Sequence, residues 1–243
     1  MKKRYSNSIN GAIIGALLGS PLIVLALPPT SQPSHIEHQA SSVSTSQPQS
    51  KKRLVVIDPG HGMSNSAKGT YDPGAVREGI EEATINLRVA AYLGQDLIAK
   101  GYAVILTRLD NQTHCPITKR NQVSNKLNAD AFISLHCNSS KSEETKATGV
   151  RVFYSPKRQA DKTLAAALED AASQTLTEGV RGYSEKNQAV YKGNFLVLNT
   201  SRVPAVLVEM GYINSPFDRE YLIHAERLIA RGISKGLERH FSK

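Results

Sequence analysis

The chain has 243 residues, 40% of them apolar, and a formal net charge of +9 at neutral pH. That is material for one ordinary domain with a core plus extra segments, and no internal repeat is visible. The basic balance suits an acidic partner such as a membrane surface or an anionic wall polymer, but no Lys/Arg run with interleaved aromatics appears, so nucleic acid is set aside.

Met1-Lys2-Lys3-Arg4 precedes an uncharged apolar or small stretch from Gly11 to Leu27. This is the pattern of an export signal, and residues 1–27 are expected to be a signal peptide or an uncleaved membrane anchor. Residues 28–50 are rich in Pro, Ser, Thr and Gln and read as a flexible linker that contains His35 and His38. The folded domain is expected over 51–243, exported to the periplasm, the cell envelope or the exterior. Cys115 and Cys137 are the two cysteines and are read as unpaired thiols.

Arg53–Ile57 reads as a buried strand stopped by Asp58-Pro59-Gly60, with His61 just beyond it. A Gly-rich loop over 60–79 carries a second Asp72-Pro73-Gly74. A helix opens at Glu81 or Glu82 and runs to about Lys100, with Ile85, Val89, Leu93 and Leu97 on one face. A strand over Tyr102–Thr107 follows, then a helix over Ile117–Asn128 with Val123 and Leu127 inward. Ala131–Leu135 is a strand ending at His136, Gly149–Tyr154 another, and Asp161–Leu176 a helix. Phe195–Leu198 reads as an edge strand, Pro204–Val208 as a buried strand ending at Glu209, and Phe217–Phe241 as one closing helix. Alternating strands and helices predict a single α/β layered domain, a twisted, largely parallel sheet of about six strands flanked by helices.

In such sheets ligands bind beyond the carboxyl ends of the strands. His61, His136 and Glu209 each follow a separate strand, and Glu82 opens the helix after the first. Two histidines and a carboxylate suit Zn²⁺ with an open coordination position, and a second carboxylate can act as general base. Glu209 fits that base, with Gly211 beyond it expected to leave room for substrate. The composition of the site points to amide or ester hydrolysis. Cys137 is expected to face away from His136, because neighbours on a strand point to opposite sides.

Val55-Val56-Ile57-Asp58-Pro59-Gly60-His61-Gly62, Asp72-Pro73-Gly74-Ala75, Ser134-Leu135-His136-Cys137-Asn138 and Pro204 through Val208-Glu209-Met210-Gly211 to Asn214 resemble, in order, the zinc-dependent N-acetylmuramoyl-L-alanine amidases of bacterial cell walls. The resemblance spans nearly all of 53–240 and implies a twisted mixed sheet. It makes His61, Glu82 and His136 the zinc ligands and Glu209 the catalytic glutamate. Glu81 is a rival ligand, and the spacing to Leu87 selects Glu82. The implied reaction is hydrolysis of the bond between the lactyl group of N-acetylmuramic acid and L-alanine in peptidoglycan. Asn138 is either a substrate contact or a turn residue. Arg108 and Arg120 are expected to form structural ion pairs. The protein is expected to act as a monomer, and the span 155–194 has no room for a helical block that covers the metal, so activity without an activator is expected. A zinc peptidase acting within the stem peptide and a non-catalytic wall-binding module are the rival readings.

Overall fold

A computed structural model describes residues 12–16, 21–25, 52–65, 70–184 and 189–242. The linker 28–50, and parts of the expected leader, lie outside the described residues. In chain order the elements are β1 (Ala12–Ala16), β2 (Pro21–Leu25), β3 (Leu54–Pro59), β4 (Gly62–Asn65), β5 (Thr70–Asp72), β6 (Val76–Arg77), β7 (Ile80–Glu81), α1 (Glu82–Ala99), β8 (Ala103–Leu106), α2 (Gln122–Leu127) and β9 (Ala131–Asn138). They continue with β10 (Arg151–Tyr154), α3 (Gln159–Gly179), β11 (Ala189–Lys192), α4 (Leu196–Asn199), β12 (Ala205–Tyr212), α5 (Pro216–His224) and α6 (Glu226–Phe241).

The main sheet runs β8-β3-β9-β12-β10-β11, and the β1–β2 hairpin continues it beside β8. Strands β8, β3, β9 and β12 are parallel. β10 is antiparallel to β12, and β11 is parallel to β10. The expected six-strand α/β sheet is therefore present, and it is mixed. Among the described residues no helix is long and apolar enough to cross a membrane.

Alternation along the strands separates two cores. Val55, Ile57, Ile133, Leu135, Val206 and Val208 face α1, α3 and α6, where Leu93, Leu97, Leu168, Ile233 and Leu237 are fully buried. Each such aliphatic side chain contributes about 1.5–3 kcal/mol by leaving water. Val56, Phe132 and Leu207 face the other way and meet a smaller cluster that includes Val197 and Leu198 of α4.

Four boundaries differ from the sequence reading. Phe195–Leu198 is no strand: its apolar run forms the short helix α4, and the edge strand is β11. A run of four apolar residues suits either state, and only its packing decides. The closing helix is two helices. Ser215 caps α5 by accepting from the Asp218 amide, with Pro216 in the first turn, and Ala225 (φ −127°, ψ 30°) breaks the helix before α6. The helix expected from Ile117 starts only at Gln122, and Leu127 is 38% exposed rather than inward. Finally, β9 and β12 run on through His136 and Glu209 instead of ending at them.

Candidate active site

The segment leaving β3 is fixed from beneath by two buried arginines. Arg108 donates through Nε to the Pro59 carbonyl and through one terminal nitrogen to the carbonyls of Gly60 and Ala83, each at 2.8 Å. Arg120 donates to the Pro59 carbonyl at 2.7 Å, to the His61 carbonyl at 2.5 Å and to Asp58 Oδ1 at 2.9 Å. Asp58 also accepts from Thr107 (2.6 Å) and Ser134 (2.8 Å). Arg120 is thus the ion-pair former expected, whereas Arg108 clamps main-chain carbonyls. His61 sits at φ 64°, the left-handed region. For a residue with a Cβ this costs about 1–3 kcal/mol and persists only where the surroundings enforce it. The captured carbonyls on either side of His61 are that enforcement.

His61 Nε2 lies 3.0 Å and His136 Nδ1 2.9 Å from the same oxygen, Glu82 Oε1. The two rings meet edge to face with centroids 4.9 Å apart. Glu82 is buried in the first turn of α1. Its Oε2 accepts the Ala75 amide at 2.9 Å and its Oε1 the Cys137 amide at 3.0 Å, so the carboxylate has one orientation. Glu81, the rival, is turned to the Tyr71 hydroxyl. The two Asp-Pro-Gly turns gain a physical reason here. A Cβ on Gly60 would stand 2.3 Å from the His136 ring, and one on Gly74 (φ +68°) would stand 2.6 Å from Glu82 Oε2 and 2.7 Å from His61 Cδ2. Both turns must lack a side chain because the imidazoles and the carboxylate occupy that space.

Glu209 and His136 are lateral partners across β12 and β9. Paired residues of neighbouring strands project to the same face, so Glu209 overlooks the histidines. A cleft of about 390 Å³ opens there, lined by His61, Glu82, His136, Asn138, Phe195 and Glu209 among others. Asn138 stands in the lining while its carbonyl accepts the Ile213 amide at 2.8 Å. Gly211 does not leave room for substrate: a Cβ there would meet the Tyr221 hydroxyl at 2.2 Å. Cys137 lies on the opposite face, buried in the large core, and both cysteines are free thiols.

The sequence pattern of one family, described as N-acetylmuramoyl-L-alanine amidase, matches residues 55–239. The chain belongs to the N-acetylmuramoyl-L-alanine amidase family. A probable cell wall amidase, LytH, of Staphylococcus saprophyticus is 29% identical over 79% of this chain and 60% of its own length. A sporulation-specific N-acetylmuramoyl-L-alanine amidase of Bacillus subtilis is 31% identical over 77% of this chain and 68% of its own. The chain thus spans about three-fifths to two-thirds of the length of these relatives. The crystal structure of an N-acetylmuramoyl-L-alanine amidase from Clostridium difficile 630 superposes with a TM-score of 0.70 at 27% identity, covering 80% of this chain and 99% of that one.

Within this amidase fold the electrostatics of the site follow from the distances. Burial opposes charge on Glu82, yet His136 and His61 outweigh it and hold the carboxyl well below its usual range. Burial likewise opposes charge on His61, but Glu82 and Asp72 raise its pKa to about 9. Glu209 goes the other way: burial, helped by the Glu82 charge, pushes its pKa up to about 7 against His136, His61 and Arg151. The residue keeps some exposure as a whole, but its Oε2 is sealed from solvent and has no hydrogen-bond partner. His61, Glu82 and His136 present ligand atoms within 4.8 Å of one another. Two imidazole nitrogens and a carboxylate oxygen converging on one point form a donor set that suits zinc.

Sequence reasoning missed Asp72 as a member of this site. Its Oδ2 lies 2.8 Å from His61 Nδ1, and its Oδ1 accepts the Gly74 amide at 2.9 Å. A carboxylate on the second nitrogen of a ligating histidine fixes tautomer and ring orientation. The only local signal was a second Asp-Pro-Gly, which reads first as a turn.

Proposed function

We propose that this chain hydrolyses the amide between the lactyl group of N-acetylmuramic acid and L-alanine in peptidoglycan, with zinc held by His61, Glu82 and His136. The observation that carries this reading is the shared focus of the two imidazoles on Glu82, with Glu209 beside His136 in the sheet register. Bound zinc supplies Lewis acidity toward the amide carbonyl and the attacking water. Asp72 holds the His61 ring, and the Cys137 and Ala75 amides hold Glu82. Glu209 accepts the proton of the attacking water on a carboxylate oxygen and returns it to the L-alanine nitrogen as the C–N bond breaks. Burial raises the Glu209 carboxyl above its usual range, which suits a group that must both accept and return a proton. Asn138 stands where it can donate to the substrate. The long helix α3 packs into the large core on the far face, which supports activity without an activator. Family membership and the apolar, positively flanked leader support work at the cell envelope, outside the cytoplasm.

The test is hydrolysis of purified peptidoglycan by the full chain, with zinc, with chelator and as Glu209→Ala. New L-alanine amino termini without new reducing sugars, lost in the last two conditions, are expected. A different new amino terminus would make the protein a stem-peptide hydrolase. No release with zinc demonstrably bound would leave a binding module.

A further inference from the structure

One cation next to Glu209 has no part in the reading above. Arg151 of β10 is the register partner of Glu209, as His136 is on the other side, so the three form one lateral row. The ladder between β12 and β9 shifts beyond this row: Glu209 pairs with His136, but Tyr212 pairs with Asn138. That bulge brings Tyr212 to the same face as Glu209, where strict alternation would have turned it away. The Arg151 guanidinium lies 4.8 Å from the centre of the Tyr212 ring and 5.8 Å from that of Tyr191. The two rings hold the cation in place. Its Nε is sealed from solvent without a hydrogen-bond partner, and among the described residues no carboxylate lies within ion-pairing distance of it. Arg151 itself is partly exposed. A partly exposed planar cation held against two rings, with no carboxylate partner of its own among the described residues, suits a carboxylate, since the guanidinium fork matches a carboxylate through two parallel hydrogen bonds.

We infer that Arg151 is a specificity determinant that binds a free carboxylate of the stem peptide, and so orients the substrate across the sheet. This rests on the amidase reading. On the muramyl side of the scissile amide the lactyl carboxyl is tied up in that bond and the sugar is neutral. On the alanine side the peptide carries free carboxylates. The peptide therefore runs from Glu209 over β10 and β11, past Arg151 and Tyr191, and the glycan lies toward Asn138 and the exposed Ile117.

The experiment compares two soluble N-acetylmuramoyl-L-alanyl peptides, one with free carboxylates and one fully amidated, as substrates of the zinc-loaded full chain. The wild type is expected to favour the acid by about ten- to hundredfold in kcat/KM, the range of a charge-assisted contact. Arg151→Gln should bring that ratio near one by losing the acid substrate, and Arg151→Lys should keep part of it. An equal loss on both substrates in Arg151→Gln, or a wild type without preference, overturns the subsite. A zinc-loaded wild type that cleaves neither peptide at the lactyl amide removes the amidase reading instead, and the subsite falls with it.

Discussion

Ala131, Ile133, Leu135 and Cys137 of β9 enter the core beneath α1, α3 and α6, while Phe132, Ser134, His136 and Asn138 enter the opposite face. The first set is apolar throughout. The second grades from a buried ring at one end, through a hydroxyl on Asp58, to an imidazole in an open cleft. The same backbone ladder serves both. One face gains its free energy from area removed from water. The other spends part of it on a buried ion pair, a left-handed histidine and a carboxyl with an orphaned oxygen. Stability and chemistry are thus divided by side-chain parity rather than by region of the chain.

Substitutions on the two faces should therefore separate activity from stability. Glu209→Gln should lower kcat by about 10²–10⁴-fold, the usual contribution of a general base, with zinc content unchanged. Its thermal midpoint at pH 8 should equal or exceed that of the wild type, because a buried carboxylate is gone; a lower midpoint would mean that Glu209 also supports the fold. Asp58→Ala leaves Arg120 buried without its partner and should cost about 3–5 kcal/mol in urea unfolding. A cost below 1 kcal/mol would show that water replaces the pair. On the other face Leu93→Ala should cost about 2–5 kcal/mol, yet kcat at a temperature where the variant is folded should stay near wild type. If kcat falls in step with stability, the division between the faces fails.

Two smaller effects sharpen the contrast. On the proposed assignment, Asp72→Asn should weaken zinc binding by about 10–100-fold in a competition titration, since Asp72 touches the His61 ring and not the ion. The chelated protein should also lose stability as pH rises. The folded-state pKa of Glu209 is raised to about 7, so its contribution is complete below its unfolded value near 4.5 and lost as pH climbs through 7. That of His61 is raised to about 9, so its contribution is complete below 6.5 and lost through 9. Together they should lower the thermal midpoint of the chelated chain steadily between pH 5 and 9. Thermal midpoints of the chelated chain that are flat over this range would refute the assignment. Glu82 and Asp58, both held low, act at the acid end: their contributions are present above about 4 and lost on further acidification.

What could be read from the sequence was local or periodic. The β3 strand and its Asp-Pro-Gly stop and the spacing of Ile85, Val89, Leu93 and Leu97 follow from short-range chemistry, and the rim shared by His61, Glu82, His136 and Glu209 from the rule that ligands bind beyond the carboxyl ends of parallel strands. What could not be read depends on neighbours distant in sequence. Phe195–Leu198 became helix because α4 covers Phe132 and Leu207. Gly211 is small for the sake of Tyr221, and Asp72 matters because a hairpin returns it to His61. The place of Arg151 beside Glu209 needs the antiparallel register of β10, and no pattern within β10 announces that pairing.

The insertion of β12 between β9 and β10 has a consequence in time. Of the six main strands it is the last to be synthesised, yet it lies inside the sheet, and β10 with β11 joins the rest only through it. No nascent or truncated chain that stops before residue 205 can set Glu209 beside His136, although Glu82 is already made. The late, long-range closure also makes for slow folding. The order of strands thus makes the pairing of Glu209 with His136 the last to form: half-made copies carry the histidines but not Glu209.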